Sequence, residues 1–384
     1  MSFPGVNINV ENGNLLRAIA VLDGVGAIVA TAEQPENIGV VRVVYSLQDA
    51  EQRGYTEVDE PFLHKLISQF YAELGGNQQL YIFGTAETET MADMLAATNA
   101  NGLLKLLNEA AGEVNLVAIA RNPVSGYDAG TNFLDADVPA AVLAAKPICQ
   151  EMQRKNTPIR IFIEGRIANE NAPIDTFKPN ESENGFIGVV LGSDVADSSA
   201  AIGTVLGRAC RFAAHVKLGN GQNGAVTIPK VYVGSKRIEE RLDMETLHDY
   251  GFLTFMRRAG AAGYFFGVDN MAEKGDFRIL VHGRVIDKAQ RVIASAYLPY
   301  VETSIRVEPD GTINSTDAAD LENILTSALL AAMSGQASGF KVVIDTNQDI
   351  INTSNLKVSA QVQPLGYLTW ISVTLGLAVQ LSNN

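Results

Sequence analysis

Residues 140–164 read Ala140-Ala-Val-Leu-Ala-Ala-Lys-Pro-Ile-Cys-Gln-Glu-Met-Gln-Arg154 and then Lys155-Asn-Thr-Pro-Ile-Arg-Ile-Phe-Ile-Glu164. The first part has helical character. The second ends in a short apolar run, 158–164, of the kind found in strands buried on both faces. Similar runs lie at 79–83, 115–120 and 185–191, with helical stretches around 103–111 and 140–154 between them and 198–218 after the last. Parallel neighbours need a crossover connection, and helices of this length supply it. The expectation is an α/β unit over roughly residues 20–230, with a mainly parallel sheet and helices on both faces.

Working outward, residues 59–75 also form a helix in pattern. Pro61 suits its first turn, Phe62, Leu63, Leu66, Ile67, Phe70, Tyr71 and Leu74 make one stripe, and Gly75 can end it. Beyond about residue 241 the rhythm changes. A helical stretch at 243–250 leads into β-prone segments at 262–268, 277–286 and 291–300. A helix at 317–333 carries Leu321, Ile324, Leu325, Ala328 and Leu329 on one face, with Thr316 or Asp317 as its cap, and strands at 356–363 and 370–379 close the chain. The expected fold class is therefore α/β plus α+β, with a β-rich tail. At the other end, residues 6–10 alternate apolar and polar up to an Asn12-Gly13 turn signal, which reads as a short strand. The sequence has no repeat of fixed period and no low-complexity tract.

With 384 residues, 47% of them hydrophobic and 19% charged, the chain can bury more than one core and is no disordered segment. The net charge is −14, of which −11 falls before Lys230. An acidic chain without a block of Lys and Arg is a poor nucleic-acid binder, so no nucleic-acid partner is expected. Cys149 and Cys210 cannot build a disulfide framework or a thiolate zinc site, which suits a reducing compartment. Residues 1–11 lack the basic start and apolar run of a signal peptide, and 367–381 is short for a membrane span and broken by Thr369, Ser372, Thr374 and Gly376. That stretch reads as strand, with no direct membrane insertion expected.

Motifs for chemistry are weak. Gly219-Asn-Gly-Gln-Asn-Gly224 has the spacing of a dinucleotide loop, but a helix precedes it and a β-prone run follows, the reverse of what the mechanism needs. A Gly/Asn loop is the expectation there, and no cofactor. His64, His215, His248 and His282 have no ligand-spaced partners, so no metal is expected. No phosphate loop and no G-x-S-x-G elbow occur. Asp135 with Asp137, and Glu87 with Glu89, read as solvated loop charge rather than acid/base pairs. No catalytic residue emerges, though a soluble α/β enzyme or ligand-binding protein stands as the alternative reading.

The termini carry more. Alternating segments at both ends have backbone donors and acceptors that need partners, in their own sheet or in a neighbour's.

In order, these segments resemble the contractile tail sheath proteins of myophage tails, pyocin-like particles and related injection machines. Phe3-Pro4-Gly5-Val6 is similar to their Pro-Gly-Val start. The helix 202–214 with the Gly/Asn-rich stretch after it resembles the end of their α/β core. Asp249-Tyr-Gly-Phe-Leu-Thr-Phe-Met-Arg-Arg-Ala-Gly-Ala-Ala-Gly-Tyr-Phe-Phe-Gly-Val-Asp269 is the best match, followed by 292–302 and by the Pro-containing segment 356–364. The resemblance implies an N-terminal arm (1–20), a subtilisin-like, mainly parallel α/β domain without protease activity (21–235), a C-terminal α+β sheath domain (236–365) and a C-terminal arm (366–384). It implies a structural subunit that polymerises helically with itself around a tail tube protein, between baseplate and terminator proteins, and contracts. Such a protein works in a virion tail or contractile particle assembled in the bacterial cytoplasm. Its links between subunits would be Val6, Ile8 and Val10 at one end and Trp370, Ile371, Val373, Leu375 and Leu377 at the other. The family carries no catalytic residues.

Overall fold

The computed structural model describes residues 23–373, Leu375 and Leu377. Its strands are β1 (Gly26–Thr31), β2 (Val41–Val44), β3 (Leu80–Thr85), β4 (Leu116–Ala120), β5 (Arg160–Glu164), β6 (Ile187–Leu191), β7 (Tyr232–Val233), β8 (Lys236–Arg237), β9 (Leu253–Met256), β10 (Phe265–Phe266), β11 (Gly339–Ile344) and β12 (Val358–Gln363). The helices are α1 (Leu47–Gln52), α2 (Pro61–Leu74), α3 (Met91–Leu95), α4 (Leu103–Glu109), α5 (Asp137–Arg154), α6 (Ile202–Arg211), α7 (Met244–Asp249), α8 (Leu280–Tyr297), α9 (Ser315–Met333) and α10 (Ile350–Thr353).

An eight-stranded sheet in the order β10-β9-β6-β5-β4-β1-β3-β2 organises the first part. Its pairings are parallel from β9 through β3, and only the edge pairs β10/β9 and β2/β3 are antiparallel. Every residue of β1, β3, β4, β5 and β6 is buried, which is why these strands read as unbroken apolar runs. Helix α2 follows the expected stripe, with Leu63, Leu66, Ile67 and Phe70 buried and Gly75 closing it at φ 72°. It lies very close to α6. A Cβ placed on Gly203 would stand 2.2 Å from the Leu66 carbonyl oxygen, and one on Gly207 2.4 Å from that of Phe70.

The second part is smaller. Val285, Ala289 and Val292 of α8, Leu325, Leu329 and Met333 of α9, and Phe340, Val342, Val358 and Val362 of the β11/β12 ribbon share one apolar core. Ile313, Ala318, Leu321 and Ile344 form a neighbouring one. Asn314, rather than Thr316 or Asp317, caps α9, its side chain accepting from the Thr316 and Asp317 N–H groups.

Several expectations need correction. The β-prone segments at 277–286 and 291–300 are one helix, α8. Val281, Val285, Ala289 and Val292 recur every three or four residues, a helical period that the β-branched content obscures. The helix expected over 198–218 ends at Arg211, and turns follow it. The sheet runs past the expected boundary at 235/236, because β9 pairs with β6 and carries β10. No strand occurs among the described residues from 370 onward. The segment 6–10 lies outside the described residues.

A polar seam joins the two parts. Arg160 on β5 makes a bidentate pair with Asp287 on α8, at 2.6 and 2.7 Å, and both are buried. The guanidinium lies between the rings of Phe186 and Phe277, 4.8 and 5.4 Å from their centroids. Gly283 makes room for it, since a Cβ there would meet Arg160 at 2.6 Å. Lys288 reaches the Asp23 carboxylate at 2.7 Å, and Arg291 donates to the carbonyls of Val114 and Pro158 at 3.0 and 2.9 Å. Removing one member of a buried pair strands the other charge, so Asp287→Ala should cost about 3–5 kcal/mol. The double replacement Arg160→Met with Asp287→Leu should recover a large part of that. Denaturant unfolding checks both; a single variant within error of the parent would mean that the seam does not hold the parts together.

Candidate functional site

The residues that suggested chemistry serve the fold. In Gly219–Gly224, a 3-10 turn at Gly221–Asn223 is capped by the Asn220 side chain, which accepts from the Gln222 N–H at 3.0 Å. Arg208 donates to the Asn223 and Gly224 carbonyls, and Arg258 to that of Gly219. The loop thus offers carbonyls to arginines and does not gather amides around a phosphate. Gly219 is required by packing, because a Cβ would stand 2.5 Å from the Gly267 carbonyl oxygen.

Asp135 and Asp137, expected in solvent, are buried instead. Asp137 accepts from the N–H groups of Met91 and Ala92 at 2.7 and 3.1 Å, which ties α5 to the start of α3. Asp135 accepts from the Tyr127 hydroxyl at 2.8 Å and the Asp137 N–H at 3.0 Å. Nearby Glu164, fully buried, accepts from the backbone N–H groups of Arg121 and Ala200 at 3.0 and 3.1 Å. Burial pushes the carboxyls of Asp137 and Glu164 above the usual range, against the backbone donors and nearby arginines that favour charge. Both carboxylates are engaged by backbone donors in segments that follow β3, β4 and β6.

The histidines are scattered. His64 meets Glu51 at 3.2 Å, His248 accepts from the Val268 N–H at 3.1 Å, and the His282 ring lies 2.8 Å from the Asp276 carbonyl. Among the described residues no group of three or more His, Cys, Asp or Glu side chains is placed to hold a metal, and no helix is long and apolar enough to cross a membrane.

The distinctive surface is the C-terminal ribbon. After β12 the chain is held to the second part by Ser338, whose N–H donates to the Gln363 carbonyl at 2.8 Å and whose hydroxyl donates to that of Pro364 at 3.0 Å. It then crosses to the first part. The Tyr367 hydroxyl donates to the His215 carbonyl at 2.8 Å, and the ring centroid stands 5.5 Å from the Lys217 ammonium and 6.2 Å from the His282 ring. Burial first, and the Asp269 carboxylate second, push this hydroxyl up to about 12, so it stays a donor across the working pH range. Beyond it the described side chains are exposed. Leu368 is 88% exposed, Trp370 89% and Ile371 77%, and Val373, Leu375 and Leu377 are as open. From Ile371 the apolar residues fall on every second position, so one face of the segment would be apolar once it paired as a strand.

The strands that precede it in the chain form a small sheet. β11 and β12 pair antiparallel with Phe340 opposite Val362 and Ile344 opposite Val358, and they form a sheet of two strands. Two-stranded ribbons are marginal without further cover, and each of these strands has an outer edge with no strand partner among the described residues. Trp370, Ile371, Val373, Leu375 and Leu377 are therefore brought together on one exposed segment, whereas Val6, Ile8 and Val10 lie outside the described residues. Sequence reading missed Tyr367; its only signal was an aromatic placed directly after Pro364-Leu-Gly366.

Comparison with known proteins gives a consistent picture. A family model described as "DUF2586, N-terminal domain" matches residues 3–270, and one described as "DUF2586, C-terminal domain" matches 276–382. No curated protein matches the chain. Among solved structures, a chain of the anti-feeding prophage baseplate aligns with TM-score 0.64 at 15% identity, covering 99% of this chain and 100% of that one. A chain of the anti-feeding prophage helical sheath in the contracted state aligns with TM-score 0.63 at 16% identity, covering 98% and 99%. A chain of the sheath complex of an extracellular contractile injection system, also contracted, gives 0.63 at 13% identity, with 99% and 98% covered. The protein has the fold of these chains.

Proposed function

The chain belongs to the DUF2586 family, and from that membership and its fold we propose that it is the structural subunit of a contractile sheath, polymerising as a helix around an inner tube. The observation that carries this reading is an exposed apolar segment on a chain whose two-stranded sheet has edges with no strand partner among the described residues. A free segment and a free edge on one chain can pair between copies, and a contact between two different surfaces that does not close into a ring repeats into a helix. Trp370, Ile371, Val373, Leu375 and Leu377 at one end, with Val6, Ile8 and Val10 at the other, are the links in this proposal. They add strands to neighbouring sheets, where main-chain hydrogen bonds hold while subunits turn past one another.

The mainly parallel sheet with its helices suits the subtilisin-like core of sheath proteins, and that finer topology belongs to the same proposal, as do arms at 1–20 and 366–384. A division of the two larger domains between residues 270 and 276 rather than at 235 belongs to the same proposal; the extents of the two family matches, 3–270 and 276–382, and the pairing of β9 with β6 support it. The chain carries out no catalysis in this reading. Contraction draws its free energy from better burial between subunits, at about 25 cal/mol per Å² of apolar area. The tube, baseplate and terminator proteins are the remaining partners, in a tail or particle put together in the bacterial cytoplasm.

Electron microscopy and light scattering of the purified chain over a concentration series test the proposal. Helical tubes or stacked rings that lengthen with concentration are expected. A discrete small oligomer at every concentration would reject it.

A further inference from the structure

We propose that Tyr367 is the fulcrum of the C-terminal arm: it seats the arm's root in a socket at the junction of the two parts, so that a pull on the arm reaches the first part directly instead of peeling the β11/β12 ribbon. This rests on the reading of the arm as a link between copies and says where that link takes hold of its own subunit.

Three observations place the fulcrum. The first is the change of anchorage. Up to Pro364 the chain is bonded to Ser338 of the second part, and at Tyr367 it is bonded to His215 in the loop after α6. The second is what lies beneath the ring. Lys217, which faces it at 5.5 Å, stands 3.7 Å from the fully buried Asp269 carboxylate. The Asp269 carbonyl in turn accepts the N–H of Leu280, the first residue of α8, at 2.9 Å. Tyr367, Lys217, Asp269 and the start of α8 thus form a continuous line of contacts joining arm, first part and second part. The third is the change in exposure. Directly after the socket the Thr369 N–H bonds back to the Tyr367 carbonyl at 3.1 Å, and from Leu368 onward the side chains are open. The free lever therefore starts at residue 368, and at about 3.3 Å per residue the ten positions to 377 reach roughly 33 Å when extended.

Trp370 makes the test direct, because it is the chain's single tryptophan and sits three residues beyond the fulcrum. In the full-length chain below its polymerisation concentration, Trp370 fluorescence anisotropy and hydrogen exchange of the amides of residues 366–370 are measured for the parent, Tyr367→Phe and Tyr367→Ala. Loss of one hydrogen bond in Tyr367→Phe should speed that exchange by roughly fivefold, and Tyr367→Ala should speed it further and lower the anisotropy. Circular dichroism confirms that each variant is folded; should Tyr367→Ala not fold, Tyr367→Phe alone carries the test. Unchanged exchange and anisotropy in the folded variants would overturn the proposal. Trp370 emission in assembled material separates it from the wider reading. A blue shift on assembly fits an arm buried in a neighbour. Emission that stays at the solvent-exposed position, with the anisotropy still falling in the variants, supports the root while removing the link.

Discussion

Removing residues 370–384 should leave a folded chain with the parent's melting temperature that no longer polymerises. Trp370, Ile371, Val373, Leu375 and Leu377 are each at least 77% exposed and belong to none of the subunit's cores, so their loss takes little from its stability. Between subunits the balance differs. Each such side chain contributes about 1.5–3 kcal/mol when fully buried, while ordering the backbone costs about 1–2 kcal/mol per residue. The arm is worth docking only where its apolar face is covered and its backbone pairs at the same time, as both do on an open sheet edge. Losing about 4 kcal/mol from a contact repeated in every subunit raises the concentration needed for assembly about a thousandfold. Sedimentation and negative-stain microscopy read the result; long tubes from the truncated chain at the parent's concentration would remove strand exchange at this end from the mechanism.

The second large effect belongs to the fold. Gly203→Ala and Gly207→Ala should each destabilise the chain by about 3 kcal/mol or more, although alanine is the better helix former. A propensity gain of about 1 kcal/mol is overwhelmed, because the added carbon would lie within 2.2 or 2.4 Å of a backbone carbonyl oxygen on α2. Flexible side chains can move away from such a contact, but α2 is held by its own buried stripe. Urea unfolding of the two variants is the measurement, and exposed Leu143→Ala on α5 serves as a helix control expected to change little. If either glycine variant matched the parent, the tight packing of α2 on α6 would be wrong.

How far the sequence could be read follows from where each residue finds its partners. The buried strands and α2 were legible because local periodicity is set by the surface a segment turns toward its own core. Helix α8 was not. Its buried face includes Arg284, Asp287 and Lys288, which break an apolar pattern and are tolerated only because partners such as Arg160 and Asp23 come from distant segments. Asp135 and Asp137 went astray for the same reason. As loop carboxylates they read as solvated, and Tyr127 with the backbone of Met91 and Ala92 makes their burial bearable. The exposed ribbon is the converse case. Its alternation was plain, but among the described residues it pairs with no strand, and in the proposed assembly the edge that completes it belongs to a neighbour.

The amino-acid order alone determined the α/β rhythm, the helix stripes and the emptiness of the dinucleotide-like loop, all of which depend on spacing along the chain. The tertiary structure decided which charges go inside, how near two helices approach, where the sheet ends and where Tyr367 finds its hydrogen-bond partner. Those depend on pairs of groups many residues apart, such as Tyr367 and His215, whose meeting no local pattern encodes.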